Sequence, residues 1–227
     1  MSGSAVDAVR PGFYGKLPAH GDFVSRQLPR DFIRPWDRWL QDLIRHSRSQ
    51  LGEDWLACYL QSPFWRFLLG PGLCGDSPVA GVLMPSLDQG GRYFYLTTAA
   101  PVPARRLLWL VTDRQEWFQS LEQLSRRALD EDLTADQLIG ELANAPLALP
   151  PVADDVPSAP VWHRALDEIA GLSQALTVLA TDSLDHTLLA GSLWWTVGSP
   201  RVPAGLLHCR EGLPPTGYCP GFLAGGW

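Results

Sequence analysis

The 227-residue chain holds a single lysine, Lys16, against 17 arginines, so arginine fills every basic position but one. It has four cysteines, Cys58, Cys74, Cys209 and Cys219, with no CxxC pair and no histidine at zinc-finger spacing. That pattern argues against a structural zinc module and predicts free, mostly buried thiols. His208 and Cys209 are adjacent, and neighbours on a strand point to opposite faces, so they would not readily share one metal. No apolar run approaches the roughly 20 residues that a membrane-spanning helix needs. LLWLV at 107–111 is one of the longest, so membrane insertion is not expected. The opening MSGSAVDAVRPGF lacks the basic and apolar regions of a secretory signal, so the chain is expected to stay in the cytoplasm. No basic tract offsets the net charge of -6 and pI near 5.3, which speaks against a binder of nucleic-acid backbones.

The usual catalytic signatures are missing too: there is no GxSxG, HExxH or GxGxxG. GFYGKLPAHGDF, Gly12 to Phe23, invites a phosphate-loop reading but fails it. Only two residues separate Gly12 from Gly15, Leu17 follows Lys16 where a hydroxyl should bind Mg²⁺, and Pro18 removes an amide donor. His20 and Asp22 alternate, and in an extended stretch both could face one side as a carboxylate-oriented general base. Local hydrogen bonding to backbone is the reading preferred for such a pair on a turn. Gly75-Asp76-Ser77-Pro78 could carry a nucleophilic serine, but two prolines frame it and a plain turn fits better.

What is present is 46% hydrophobic residue content in a chain long enough for a substantial core. In RDFIRPWDRWLQDLIRHSRSQLG, Phe32, Ile33, Trp36, Trp39, Leu40, Leu43 and Ile44 recur at helical spacing, with Pro35 suited to the first turn and Gly52 to the stop. Residues 55–70 predict a buried strand and a second short element. PVAGVLMPS (78–86) and RYFYLTTA (92–99) flank a Gly-rich turn and predict an antiparallel hairpin. Thr112 with Gln115 and Thr134 with Gln137 fit capping boxes opening two helices, the first presenting Trp117, Phe118, Leu121, Leu124 and Ala128 to a sheet and leaving Glu122 on the wetter side. Five prolines in 145–160 predict a surface crossover within a single domain. A helix at about 164–180 and two strands, SLWWTVG and GLLHC, follow and complete the same sheet. The fold class expected is α/β, α+β-like, with a mixed or antiparallel central sheet covered by helices on both faces as a three-layer sandwich.

Ten tryptophans stand out. Most must be core, and of adjacent Trp194 and Trp195 one should face the core and the other a helix layer or the outside. Arg66 in SPFWRF and Arg92 in GGRYF sit in apolar surroundings and each needs an acidic partner; Asp22 and Asp88 are the candidates in motif context. Such a network would hold the opening loop to the hairpin.

The ordered set GFYGKLPAHGDF, WDRWLQ, SPFWRF, GVLMPSLDQGGRYF, SLWW and REGLP resembles the TagF family, whose N-terminal domain is type VI secretion-associated. The resemblance runs from Gly12 to about Pro214 and implies an α/β sandwich. It implies a cytoplasmic, non-enzymatic negative regulator that acts post-translationally on assembly of the secretion apparatus, with a forkhead-associated scaffold protein as partner and no cofactor. Some members carry a fused serine/threonine phosphatase domain, and none is expected within these 227 residues. The resemblance supplies no binding residues. Those considered for partner binding or internal pairing are Phe13, Tyr14, Lys16, His20, Asp22, Phe23, Trp65, Arg66, Asp88, Arg92, Trp194 and Trp195. The alternatives are a small cytoplasmic hydrolase or anion-binding enzyme using Lys16, His20 and Asp22, and a structural accessory subunit of the apparatus.

Overall fold

The computed structural model describes residues 8–104, 107–148 and 186–225. Its centre is a seven-stranded antiparallel sheet. In chain order the strands are β1 (Ala8–Val9), β2 (Gly12–Gly15), β3 (Val24–Arg26), β4 (Trp65–Leu69), β5 (Val79–Leu87), β6 (Tyr93–Pro101), β7 (Leu147–Ala148), β8 (Ser192–Thr196) and β9 (Gly205–Cys209). β1 and β7 form a separate antiparallel pair, and the large sheet runs β3-β2-β6-β5-β4-β8-β9. The described helices are α1 (Arg30–Leu51), α2 (Trp55–Leu60), α3 (Leu107–Asp113), α4 (Gln115–Asp130), α5 (Ala135–Leu142) and α6 (Gly221–Ala224).

Side chains alternate along the strands into two cores, one on each face, which is why the strands read as continuous apolar runs and not as apolar-polar alternation. On β4, Trp65, Phe67 and Leu69 enter the core beneath α1, α2 and α6, while Leu68 enters the core beneath α3, α4 and α5. Trp194 is sealed in the first core and Trp195 packs edge-on against Phe118 in the second, so the adjacent pair divides between the two faces. The hairpin predicted for 78–99 forms over β5 and β6, in register from Val79↔Pro101 to Leu87↔Tyr93. Gly81 is required there, because a Cβ would lie 2.3 Å from the Thr98 carbonyl oxygen. The two C-terminal strands join β4 through β8, with Arg66 opposite Trp195, and complete the sheet. Residues 55–70 divide into α2 and β4. The predicted helix at 164–180 and most of the Pro-rich stretch lie outside the described residues.

Three local expectations change. Pro35 lies inside α1 and not in its first turn: the helix begins at Arg30, after an extended Pro29 whose carbonyl accepts from the Ile33 N–H at 3.1 Å. Thr112 caps nothing. Its hydroxyl bonds back to the Leu108 carbonyl at 3.0 Å within α3, and the chain breaks at Arg114 before α4. Within a helix a Ser or Thr hydroxyl can instead bond the carbonyl one turn back. Thr134 and Gln137 do form the capping box that opens α5. Glu122, assigned from sequence to the wet side of α4, turns to Arg66 on β4: Nε–Oε1 is 2.6 Å and Nη2–Oε2 2.9 Å, with Gln115 accepting from Nη1. Arg66 therefore pairs with neither Asp22 nor Asp88. A guanidinium held on the helix-facing side of a central strand takes the carboxylate that the covering helix brings, whatever the distance along the chain.

All four cysteines are free thiols. Burial pushes Cys74 up to about 12, and burial with the nearby Asp42 charge pushes Cys219 up to about 11. Thiolates are the reactive form. At pH 8 a thiol reagent is expected to leave Cys74 and Cys219 unmodified in the native protein and to titrate all four in denaturant. Prompt native labelling of either would contradict the packing described.

Candidate functional site

The opening stretch reaches the hairpin turn through backbone first. β2 pairs with β6 from Gly12↔Ala99 to Gly15↔Leu96. Gly15, at φ 142°, lies where a Cβ would meet the Tyr95 carbonyl oxygen at 2.1 Å, so only glycine lets the two strands approach. The chain then carries Lys16 beneath the turn, where its Nζ lies 2.8 Å from Asp88 Oδ2 and donates to the Arg92 carbonyl at 3.4 Å. Asp88 Oδ2 also accepts from Arg92 Nε at 2.8 Å, and Oδ1 accepts from the Gly90 and Arg92 amides, both at 3.0 Å. Arg92 Nη2 donates to the Gly21 carbonyl at 2.5 Å and the Gln89 amide to the His20 carbonyl at 2.9 Å. A network binding the opening loop to the hairpin is therefore present, with a change of membership. Lys16 is its buried cation, its side chain 8% exposed, whereas the Arg92 side chain is 66% exposed and not lodged in apolar surroundings as the sequence suggested. The Lys16 ammonium, then Arg92, hold the Asp88 carboxyl well below the usual carboxylate range.

Above the network lies an aromatic ledge. Phe23 stacks on Tyr14 (5.9 Å between centroids) and meets Phe94 edge-on (4.7 Å), and it covers Lys16 at 5.1 Å yet remains 41% exposed. The Tyr14 hydroxyl donates to Asp37 on α1 at 2.5 Å, and Gln41 donates to the other oxygen of that carboxylate at 2.7 Å. Burial, then the Asp37 carboxylate, pushes the Tyr14 phenol far above its ordinary value, so it remains a donor. Beside the ledge runs a shallow groove of about 390 Å³, lined by Gln41, Ile44, Arg45, Arg48, Tyr93 and Phe94.

Lys16, His20 and Asp22 do not converge on one pocket. Lys16 is taken by Asp88. His20 Nε2 accepts the Ala135 amide at 2.9 Å, at the start of α5. Asp22 is exposed and bonds the Phe23 amide at 2.7 Å, so it joins neither Arg66 nor Arg92. Phe13, Trp65 and Trp194 are core residues, with Phe13 wholly buried on the α4 side and Trp65 donating its indole N–H to the Phe222 carbonyl at 3.0 Å. Among the described residues no three His, Cys, Asp or Glu side chains gather where they could hold a metal ion, and no helix is long and apolar enough to cross a membrane. Sequence reasoning missed Glu122 and Asp37. Each is brought to its partner, Arg66 or Tyr14, by a helix that covers the sheet, and no spacing along the chain signals that.

The loop, α1 and the hairpin all lie within residues 12–145, more than half of the chain, and this is the stretch matched by the family described as TagF N-terminal domain, type VI secretion system-associated. The chain belongs to the TagF family. Within the TagF match fall strands β2 to β6 and helices α1 to α5, that is, every element of the network and ledge. Among solved structures the chain is similar to PA0076 from Pseudomonas aeruginosa PAO1, at 38% identity over 96% of this chain and 95% of that one, with a TM-score of 0.79. That likeness runs past residue 145 into the C-terminal strands. A search of the curated proteins gives no match. TagF membership places the chain among proteins associated with type VI secretion.

Proposed function

We propose that this TagF-family protein is a cytoplasmic, non-enzymatic negative regulator that acts post-translationally on assembly of the type VI secretion apparatus by binding a forkhead-associated scaffold protein. Family membership supports the setting. The observation that carries the binding reading is Phe23, a large aromatic left 41% exposed on a ledge fastened from below by Lys16, Asp88 and Arg92. A rigid aromatic that meets water and needs no rearrangement to be covered is what a protein partner uses as an anchor. The dispersal of Lys16, His20 and Asp22 to three separate local tasks supports a binding role over an acid/base one.

Deletion of the gene with secreted effector measured is the direct test. A repressor predicts more effector released and the protein absent from assembled particles. Less effector, or stoichiometric co-purification with particles, would make it a structural subunit instead.

A further inference from the structure

The polar side of α1 repeats as regularly as its apolar side. Arg30, Arg34, Arg38, Gln41, Arg45 and Arg48 are all exposed, and their spacing of four, four, three, four and three residues keeps them on one face. From Arg30 to Arg48 the row is about 27 Å long at ~1.5 Å per residue. Among the described residues only Arg45 of these five arginines is in an ion pair, with Asp42; Arg48 lies over the Trp55 ring at 4.1 Å. A row of like charges on one helix face costs stability by mutual repulsion and stands out in a chain of net charge -6.

We propose that this arginine row is the docking track for a carboxylate-rich protein surface. The inference rests on the partner-binding reading above and names the chemistry of the partner's contact face. Arginine presents a planar fork that takes carboxylates two bonds at a time, and it is enriched at protein interfaces where lysine is depleted. Gln41, Arg45 and Arg48 also line the groove beside Tyr93 and Phe94, so the charged row runs into the aromatic ledge. Charge along a helix with apolar and aromatic contacts at one end matches a folded protein face. A bilayer is a poorer occupant, because the apolar side of α1 (Phe32, Trp36, Leu40 and Leu43) is already committed to the core and cannot turn outward to insert. Nucleic acid is disfavoured by the repulsion of the acidic remainder of the chain.

The test uses the full chain and labelled poly-L-glutamate as probe, read by fluorescence anisotropy at low and at 0.3 M added salt (about a 6 Å screening length). The wild type is expected to bind in a salt-sensitive way. Arg34→Glu with Arg38→Glu should weaken binding at least about tenfold. Arg34→Gln with Arg38→Gln should weaken it less, and Arg210→Glu, an exposed arginine elsewhere, should leave it unchanged. Melting temperatures check that each variant is folded. No binding by the wild type, or an equal loss from Arg210→Glu, overturns the proposal. Tighter binding to duplex DNA or to phosphatidylserine vesicles than to poly-L-glutamate, with the same loss on reversal, overturns the protein-surface assignment. The purified forkhead-associated scaffold separates the two readings. If it binds wild type and double variant equally, the arginine row fails and the regulator reading stands. If it does not bind the wild type while poly-L-glutamate does, the row stands and that partner falls.

Discussion

Asp88→Ala is expected to lower the melting temperature by about 10 °C, and Arg92→Ala by no more than about 3 °C. Asp88 is the hub of the loop-hairpin network, its side chain wholly buried and its two oxygens accepting from Lys16, from Arg92 and from two turn amides. Alanine leaves the buried Lys16 ammonium, among the described residues, with the Arg92 carbonyl at 3.4 Å and the Phe23 ring but no anion, and it frees the Gly90 and Arg92 amides that the carboxylate fixed. Removing one member of a buried ion pair is costly because the other charge remains out of water. The Arg92 guanidinium stands mostly in solvent, and exposed pairs contribute little. Thermal scanning of both variants measures the contrast, and equal losses would show that Arg92 and not Lys16 carries the network. The pH dependence follows from the same contacts. Lys16 and Arg92 hold the Asp88 carboxyl below its unfolded value of about 3.9, so its contribution is complete above that pH and is lost progressively as pH falls below it. The melting temperature of the wild type should therefore fall more steeply than that of Asp88→Ala below about pH 4.

Trp36→Ala is expected to cost about 4 kcal/mol in denaturant unfolding, and Trp36→Phe about half of that. The Trp36 indole has no exposed surface and lies against Phe32 (5.4 Å), Trp39 (5.1 Å), Phe67 (4.8 Å) and Trp194 (5.8 Å). It thereby joins α1 to β4 and β8. Its N–H donates to Thr97 on β6 at 2.9 Å. Alanine opens a cavity walled by rings that cannot collapse together, because each is fixed by its own element. Phenylalanine keeps most of the volume but leaves the Thr97 hydroxyl without its indole partner. Near-equal losses in the two variants would assign the effect to the hydrogen bond and not to packing.

Elements whose signal lies within a few residues were legible in the sequence. The α1 stripe, the β5–β6 hairpin and the Thr134–Gln137 cap each depend on neighbours three, four or a turn's length away, and each formed as read. Pairings between a strand and the helix that covers it were not legible in the same way. Arg66 needed an anion and the sequence said so, but Glu122 was chosen by the docking of α4 on β4. Asp88 is legible because its partner Arg92 lies in the same turn, whereas Lys16, which follows β2, carries no signal in sequence beyond its rarity. The arginine row was readable in principle. The periodicity that places Trp36, Leu40 and Leu43 on one face places Arg30, Arg34, Arg38, Arg45 and Arg48 on the opposite face.

The order of strands in the sheet also sets a timetable. β4 is made early and lies between β5, which follows closely, and β8, which comes almost at the end. At about 5–20 residues per second of synthesis, the outer edge of β4 waits on the order of ten seconds for its second neighbour. Trp36, Trp39 and Phe67 wait with it, because Trp194 completes their ring cluster. A nascent chain thus carries an open strand edge beside an uncovered aromatic surface until β8 leaves the ribosome, and slowed translation between Phe67 and Trp194 prolongs its exposure to aggregation and to chaperone capture.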